Sequence, residues 1–188
     1  PIIYDSHGAY GRSADFMGGW CPLKNIPFVA SCSGGKDSAM AYYRATKSGA
    51  IPKRIWTMFE DDKERSKSHA LPFEVVEAQA KVLGVPLMIR GADWGGYQEQ
   101  FLDAMKECKD AGINHGVFGD IDLVDHLEWV RKTCAEVGME AVHPLWMEPR
   151  RKILEEFIGV GFEAYIVVVN TKMMPAHFIG RKFTIELM

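Results

Sequence analysis

Residues 26–38 read Ile-Pro-Phe-Val-Ala-Ser-Cys-Ser-Gly-Gly-Lys-Asp-Ser, an apolar run that ends in a glycine turn. The run predicts a buried strand over 26–32, and Asp37-Ser38-Ala39-Met40-Ala41-Tyr42-Tyr43 opens a helix predicted over 37–48. Gly34 and Gly35 allow the chain to fold tightly around a ligand. The amides of the turn and of the first helical residues have no partner within the helix, and the helix dipole adds partial positive charge there. Ser33 and Ser38 offer hydroxyls and Lys36 a full charge, so the segment suits a phosphate or pyrophosphate. A ligand-free glycine turn is the bland alternative.

The nucleotide loop G-x-x-x-x-G-K-[ST] does not fit. Its first glycine would fall on Ala30, and Asp37 replaces the hydroxyl residue after the lysine. Ser33-Gly34-Gly35-Lys36-Asp37-Ser38 instead matches the pyrophosphate loop SGGxD[ST]. It resembles the ATP pyrophosphatase group of the adenine nucleotide alpha-hydrolase superfamily. The resemblance implies cleavage of ATP between its alpha and beta phosphates and activation of a substrate as an adenylate.

The 188 residues suit one domain with a real core, preceded by a loose extension over 1–24 that lacks helix or strand periodicity. A formal net charge of −3 argues against a generic nucleic-acid binder, and no apolar stretch is long enough to span a bilayer. No signal peptide is visible. Cys21, Cys32, Cys108 and Cys134 form neither a C-x-x-C pair nor a zinc spacing. A reduced, cytoplasmic setting fits that cysteine usage.

From Ile26 onward strand-like and helix-like runs alternate. Strands are predicted at 26–32, 54–59, 85–90, 116–119, 140–143 and 164–170, and helices at 37–48, 73–83, 96–111, 123–137 and 149–159. Gly49, Gly84, Gly112 and Gly138 stand where helices should stop. Such repetition predicts an α/β fold, a parallel sheet with helices on both faces. Ligands in such sheets bind outside the carboxyl ends of the strands, which makes those loops the list of candidate sites.

The second strand leads to Glu60-Asp61-Asp62, acids able to hold magnesium or to stand as a solvated loop. The polar loop 63–71 follows, and Pro72 should occupy the first position of the next helix. In that loop Arg65 and Lys67 are candidates to neutralise phosphate and His69 to move a proton, or all three only keep the loop soluble. Gly119 allows a close backbone approach, and Asp120 at the strand tip would face the phosphate loop if its strand neighbours the first. Asp122 reads as a helix N-cap, Asp125 as a first-turn acid, and His126 as the partner of a nearby acid more than as a catalyst. His143 should point into the same rim. Arg150 and Arg151 at a helix start invite an anion, or pair with Glu148 or Glu155. Cys108 and Cys134 read as core residues.

The segments SCSGGKDSAMAYY, ERSKSHALP, FGDIDLVDH, HPLWMEPRR and AYIVVVNT together resemble the diphthine–ammonia ligase family and its bacterial relatives. The likeness runs from about Ile26 to the C-terminus and implies the HUP-type Rossmann-like fold in a pyrophosphate-loop domain over 25–188. It implies ATP-dependent adenylation of a carboxylate, amidation with ammonia, and release of AMP and pyrophosphate. Nucleotide-binding roles carry over to Ser33, Gly34, Gly35, Lys36, Asp37, Ser38 and Gly119, and by fold to Met58, with Arg65 added from its loop. Catalytic roles fall to Lys36, Asp120 and His69, and Asp37 and Asp120 are candidate magnesium ligands. The acceptor implied is the diphthine of elongation factor 2 in an archaeal or eukaryotic source, and another carboxylate in a bacterium. A homodimer stays open. Family members commonly continue into a glycine- and glutamate-rich stretch that has no counterpart before Met188. A tRNA sulfur transferase using the same adenylation and a non-enzymatic nucleotide-binding module are the alternatives.

Overall fold

The computed structural model describes residues 23–187. Five strands form one parallel sheet: β1 (Pro27–Ser31), β2 (Ile51–Phe59), β3 (Leu87–Gly91), β4 (His115–Val117) and β5 (Glu140–Val142). Their spatial order is β3-β2-β1-β4-β5. The chain winds outward from β1 through β2 to β3, then returns and winds the other way through β4 to β5. The direction reverses between β1 and β4, which are hydrogen-bonded neighbours. Above the carboxyl ends of those two strands lies the crevice where open α/β sheets bind ligands.

The helices are α1 (Lys36–Lys47), α2 (Phe73–Leu83), α3 (Tyr97–Asp110), α4 (Val124–Glu136) and α5 (Arg150–Gly159). Alternation along β1 sorts them into two layers, because successive strand side chains point to opposite faces. Phe28 and Ala30 join Met40, Ala41, Ala80, Ile153, Leu154 and Phe157, so α1, α2 and α5 cover one face. Val29 joins Phe101, Ala104, Met105, Val130 and Cys134, so α3 and α4 cover the other. Cys108 and Cys134 are core residues, as their helical positions predict.

Leu23 is buried in the α1 face, and its amide donates to Ser48 Oγ at 3.3 Å. The rest of the expected extension lies outside the described residues. Strand β2 starts earlier than predicted and includes Pro52, which has no amide to give. The register against β1 shifts between Phe28 and Val29, beside that proline. Pro72 precedes α2 as its N-cap rather than as its first residue.

The sixth strand, expected over 164–170, does not join the sheet. Only Tyr165 bridges, antiparallel, to Lys182, and Tyr165, Val167 and Val168 stay exposed. The segment follows α5, which packs on the α1 layer.

Candidate functional site

The turn after β1 leads straight into α1. Gly34 has φ +80, the left-handed region that L side chains rarely occupy, and Gly35 is the N-cap. Gly35 has no side chain with which to cap the helix. The first intrahelical bond runs from Ala39 N–H to Gly35 O at 3.2 Å, which leaves the amides of Lys36, Asp37 and Ser38 ahead of the ladder. Local hydroxyls brace the turn. Gly35 N–H donates to Ser33 Oγ at 3.3 Å, Ser38 Oγ–H donates to Gly35 O at 2.9 Å, and the two hydroxyls lie 3.2 Å apart. Lys36 Nζ sits 2.8 Å from both carboxylate oxygens of Asp37.

Two other loops close on this turn. The first is the crossover after β2. A Cβ added to Gly35 would lie 2.4 Å from His69 Nε2, and one added to Gly34 would lie 2.3 Å from Leu71 Cδ1. His69 therefore rests against the start of α1. Burial pushes its imidazole pKa down, and of its charged neighbours Asp37 works against that and Lys36 with it. The second is the loop after β4. A Cβ on Gly119 would lie 2.9 Å from the Asp37 carbonyl carbon and from the Ser38 nitrogen. The close approach read from the sequence is thus made to the backbone of α1, and Asp120 is the next residue along the chain.

Asp120 accepts a hydrogen bond from His126 Nδ1 at 2.5 Å, and His143 Nδ1 lies 3.0 Å from its other oxygen. Burial disfavours the charge on Asp120, but hydrogen bonding and charge from the two imidazoles outweigh it. The carboxyl is held well below the usual range. The bond to Asp120 raises the pKa of His126, whereas burial lowers that of His143. His143 is only 4% exposed and stacks on Phe118; its Nδ1 faces Asp120, and its Nε2 has no hydrogen-bond partner among the described residues.

The remaining candidates separate into those near the turn and those committed elsewhere. Arg65 is exposed, and its guanidinium donates to Ala70 O at 3.0 Å. Lys67 pairs with Glu60 at 2.5 Å and lies over the Trp94 ring at 4.6 Å, so it ties its own loop to the β3–α3 loop. Met58 is buried in the α3 face, and its carbonyl accepts the Lys67 amide at 2.9 Å. Its side chain is thus committed to the core, and its carbonyl already accepts one hydrogen bond. Asp61 and Asp62 stay solvent-exposed. Leu123, not Asp122, is the N-cap of α4, and Asp122 pairs with Arg150 at 2.6 Å. Arg151 pairs with Glu155 at 2.9 Å. Both arginines thus have carboxylate partners within the fold.

Sequence reading missed the aromatic ledge beside Asp120. Trp94 is 76% exposed and stacks on Tyr97, with centroids 5.8 Å apart. Tyr97 meets Trp129 at 5.8 Å, and Trp129 stacks with His126 at 6.0 Å. These residues come from the β3–α3 loop, α3 and α4, so no contiguous motif announces them. A separate apolar groove of about 570 Å³ between α1 and α2 is lined by Tyr42, Val75, Val82 and Phe162 and reaches Gly34 and Gly35.

A parallel α/β sheet with an uncapped, glycine-turned helix start at its reversal point defines the class: a Rossmann-like domain of the pyrophosphate-loop ATPase type, consistent with the HUP fold. The family model described as "Diphthamide synthase N-terminal domain" matches residues 27–141, and the chain belongs to that ATP-utilising family. The matched span runs from β1 into β5 and contains the phosphate turn, the crossover loop and Gly119-Asp120. No curated protein matches the chain. No helix among the described residues is long and apolar enough to cross a membrane.

Proposed function

We propose that the protein is an AMP-forming ligase that adenylates a carboxylate with ATP and amidates it with ammonia. One observation carries this reading: the uncapped start of α1 lies at the β1/β4 reversal and is abutted there by Gly119, the residue before Asp120. The turn fits a triphosphate by its donors. Free amides at Lys36–Ser38, hydroxyls at Ser33 and Ser38, and the Lys36 ammonium converge on one rim. Phosphate would draw Lys36 away from Asp37, and the freed Asp37 carboxylate would suit a magnesium ion arriving with the nucleotide. Asp120 suits that ion less well, because imidazoles already face both of its oxygens. Among the described residues no group of three His, Cys, Asp or Glu side chains forms a metal cage.

The residues then act mainly by positioning and charge. The turn and Lys36 hold the leaving pyrophosphate, and the acceptor carboxylate attacks the alpha phosphorus from the Asp120 side. His69, whose imidazole pKa burial lowers, borders the same turn and can shuttle a proton. The acceptor is the diphthine of elongation factor 2 if the source makes it, and another carboxylate otherwise. Cysteine chemistry supports this reading over sulfur transfer. Burial pushes the Cys32 thiol up and that of Cys134 to about 12, and no two described cysteines are paired.

Product analysis tests the proposal. Incubation with ATP, ammonium and diphthine-bearing elongation factor 2 or other carboxylates should yield AMP and pyrophosphate in equal amounts. ADP and phosphate as the products would overturn it.

A further inference from the structure

The amide-forming half of the proposed reaction releases a proton. Ammonia donates its lone pair to the carbonyl carbon of the acyl adenylate. The adduct nitrogen must then lose a proton as the C–O bond to AMP breaks and its electrons leave with the phosphate. A positioned base for that proton is worth about 10²–10⁴ in rate. His69 borders the phosphate turn, on the leaving-group side of the site.

We infer that His126 is this base, with Asp120 as its orienting partner. The inference rests on the amide-forming reading above. Asp120 is a carboxylate, so the bond to His126 places a proton on Nδ1 and leaves Nε2 as the ring nitrogen that can accept one. Among the described residues nothing bonds that Nε2, and the imidazole is half exposed at the rim. A carboxylate that fixes the tautomer and then balances the imidazolium charge is the arrangement general-base histidines use. The dyad is also anchored where the chemistry must occur. Asp120 follows Gly119, whose Cα packs on the Asp37 and Ser38 backbone, so the imidazole is two residue contacts from the phosphate turn.

His143 gives this site a second, independent mark. It is a buried imidazole whose Nδ1 lies 3.0 Å from the second oxygen of the same carboxylate, while its Nε2 has no hydrogen-bond partner among the described residues. A buried, unsatisfied polar group is costly, so its presence calls for an explanation. It backs the second oxygen of Asp120 and holds the carboxylate toward His126, a positioning role. Trp129 stacks on the opposite partner of the pair and limits the swing of the His126 ring. In the completed step the C–N bond has formed, Nε2 carries the proton, AMP has left, and the proton passes to water.

The test uses a preformed mixed anhydride, so it needs neither the natural acceptor nor ATP cleavage. The probe is benzoyl adenylate, whose ring suits the neighbouring Tyr97 and Trp129 faces. With ammonium chloride at fixed pH the parent should form benzamide and AMP. His126→Gln should form benzamide at least about tenfold more slowly, with ATP affinity measured in the same sample within twofold of the parent. Added imidazole should restore much of the rate in His126→Gly. Benzamide formation by His126→Gln at the parent rate would overturn the assignment of the base alone. A parent that binds ATP yet makes no benzamide would overturn the amide-forming reading and the base with it.

Discussion

Replacing Gly119 with alanine tests whether the loop after β4 sets the start of α1. Gly119 does not need a left-handed φ, so the perturbation is purely steric. The new Cβ would stand 2.9 Å from the Asp37 carbonyl carbon and the Ser38 nitrogen, and 3.1 Å from the Asp37 oxygen. These are backbone atoms, so no side-chain rotation relieves the contact. Either the β4 loop or the first turn of α1 must retreat by several tenths of an ångström. Overpacking of this kind costs about 1–3 kcal/mol. For a chain of this size that is a fall in Tm of about 2–12 °C. The displaced amides are also the proposed phosphate donors. Hydrogen bonds to charged groups are worth about 1.5–3 kcal/mol, so losing one weakens ATP binding about tenfold or more. Gly112→Ala is the control. Its φ of +81 strains any side chain, but nothing lies within 4 Å of the added carbon and the site is remote. It should lower Tm modestly and leave ATP affinity alone. Calorimetric melting and nucleotide titration of both variants decide the matter. Parent-like Tm and affinity in Gly119→Ala would refute the steric argument.

Other outcomes follow from the same geometry. Lys36→Ala should reduce ATP binding or turnover about tenfold while changing stability by only about 0.5 kcal/mol, since the ammonium is partly exposed; unchanged ATP kinetics would make it a bystander. Asp120→Asn should lose at least about tenfold in amide formation, and a magnesium titration should not restore it, because the carboxylate serves His126; recovery at high magnesium would favour a metal role. The raised pKa of His126 means that its ion pair stabilises the fold fully below pH 6.5, and that this contribution is lost as pH rises through the folded-state value. The Tm gap between the parent and His126→Gln should therefore be widest near pH 6 and narrow toward pH 9; a gap independent of pH would contradict the pairing. Arg44 donates to Glu148, Glu156 and the Pro144 carbonyl in a mostly buried cluster that joins α1 to the β5–α5 connection. Arg44→Ala should cost about 1.5–3 kcal/mol by removing the close donor of the buried Glu148 and leaving it only Lys152 at 3.8 Å, read by chemical denaturation.

Much of the fold was legible because local chemistry and global topology agree. The glycines read as helix stops at 49, 84, 112 and 138 all take left-handed φ. The apolar runs at β1 and β2 are central strands, buried on both faces. The run at 164–170 misled because β propensity reports a side chain's fit to a sheet surface, not whether the segment reaches the sheet; only Tyr165 bridges, to Lys182. In the candidate site the phosphate turn was visible as contiguous residues, and Asp120 followed from strand order. His126 reads as the partner of some nearby acid, and the structure supplies which one, Asp120. His143 was expected at the rim but lies buried behind it, and the Trp94–Tyr97–Trp129 ledge depends on three elements meeting in space. Met58 was assigned from the fold and by its position at a strand end. The crossover loop folding back to use its carbonyl is a tertiary event that strand position does not announce.

The central claim is that a nucleotide triphosphate lies across the turn between β1 and α1. A crystal structure with an ATP analogue whose alpha–beta bridge is a methylene group tests it most directly. Phosphate oxygens should fall within hydrogen-bond distance of the amides of Gly35, Lys36 and Ser38, with Lys36 Nζ turned from Asp37 to the phosphates. Nucleotide bound elsewhere, such as in the apolar groove between α1 and α2 with its phosphates away from residues 33–38, would contradict the account.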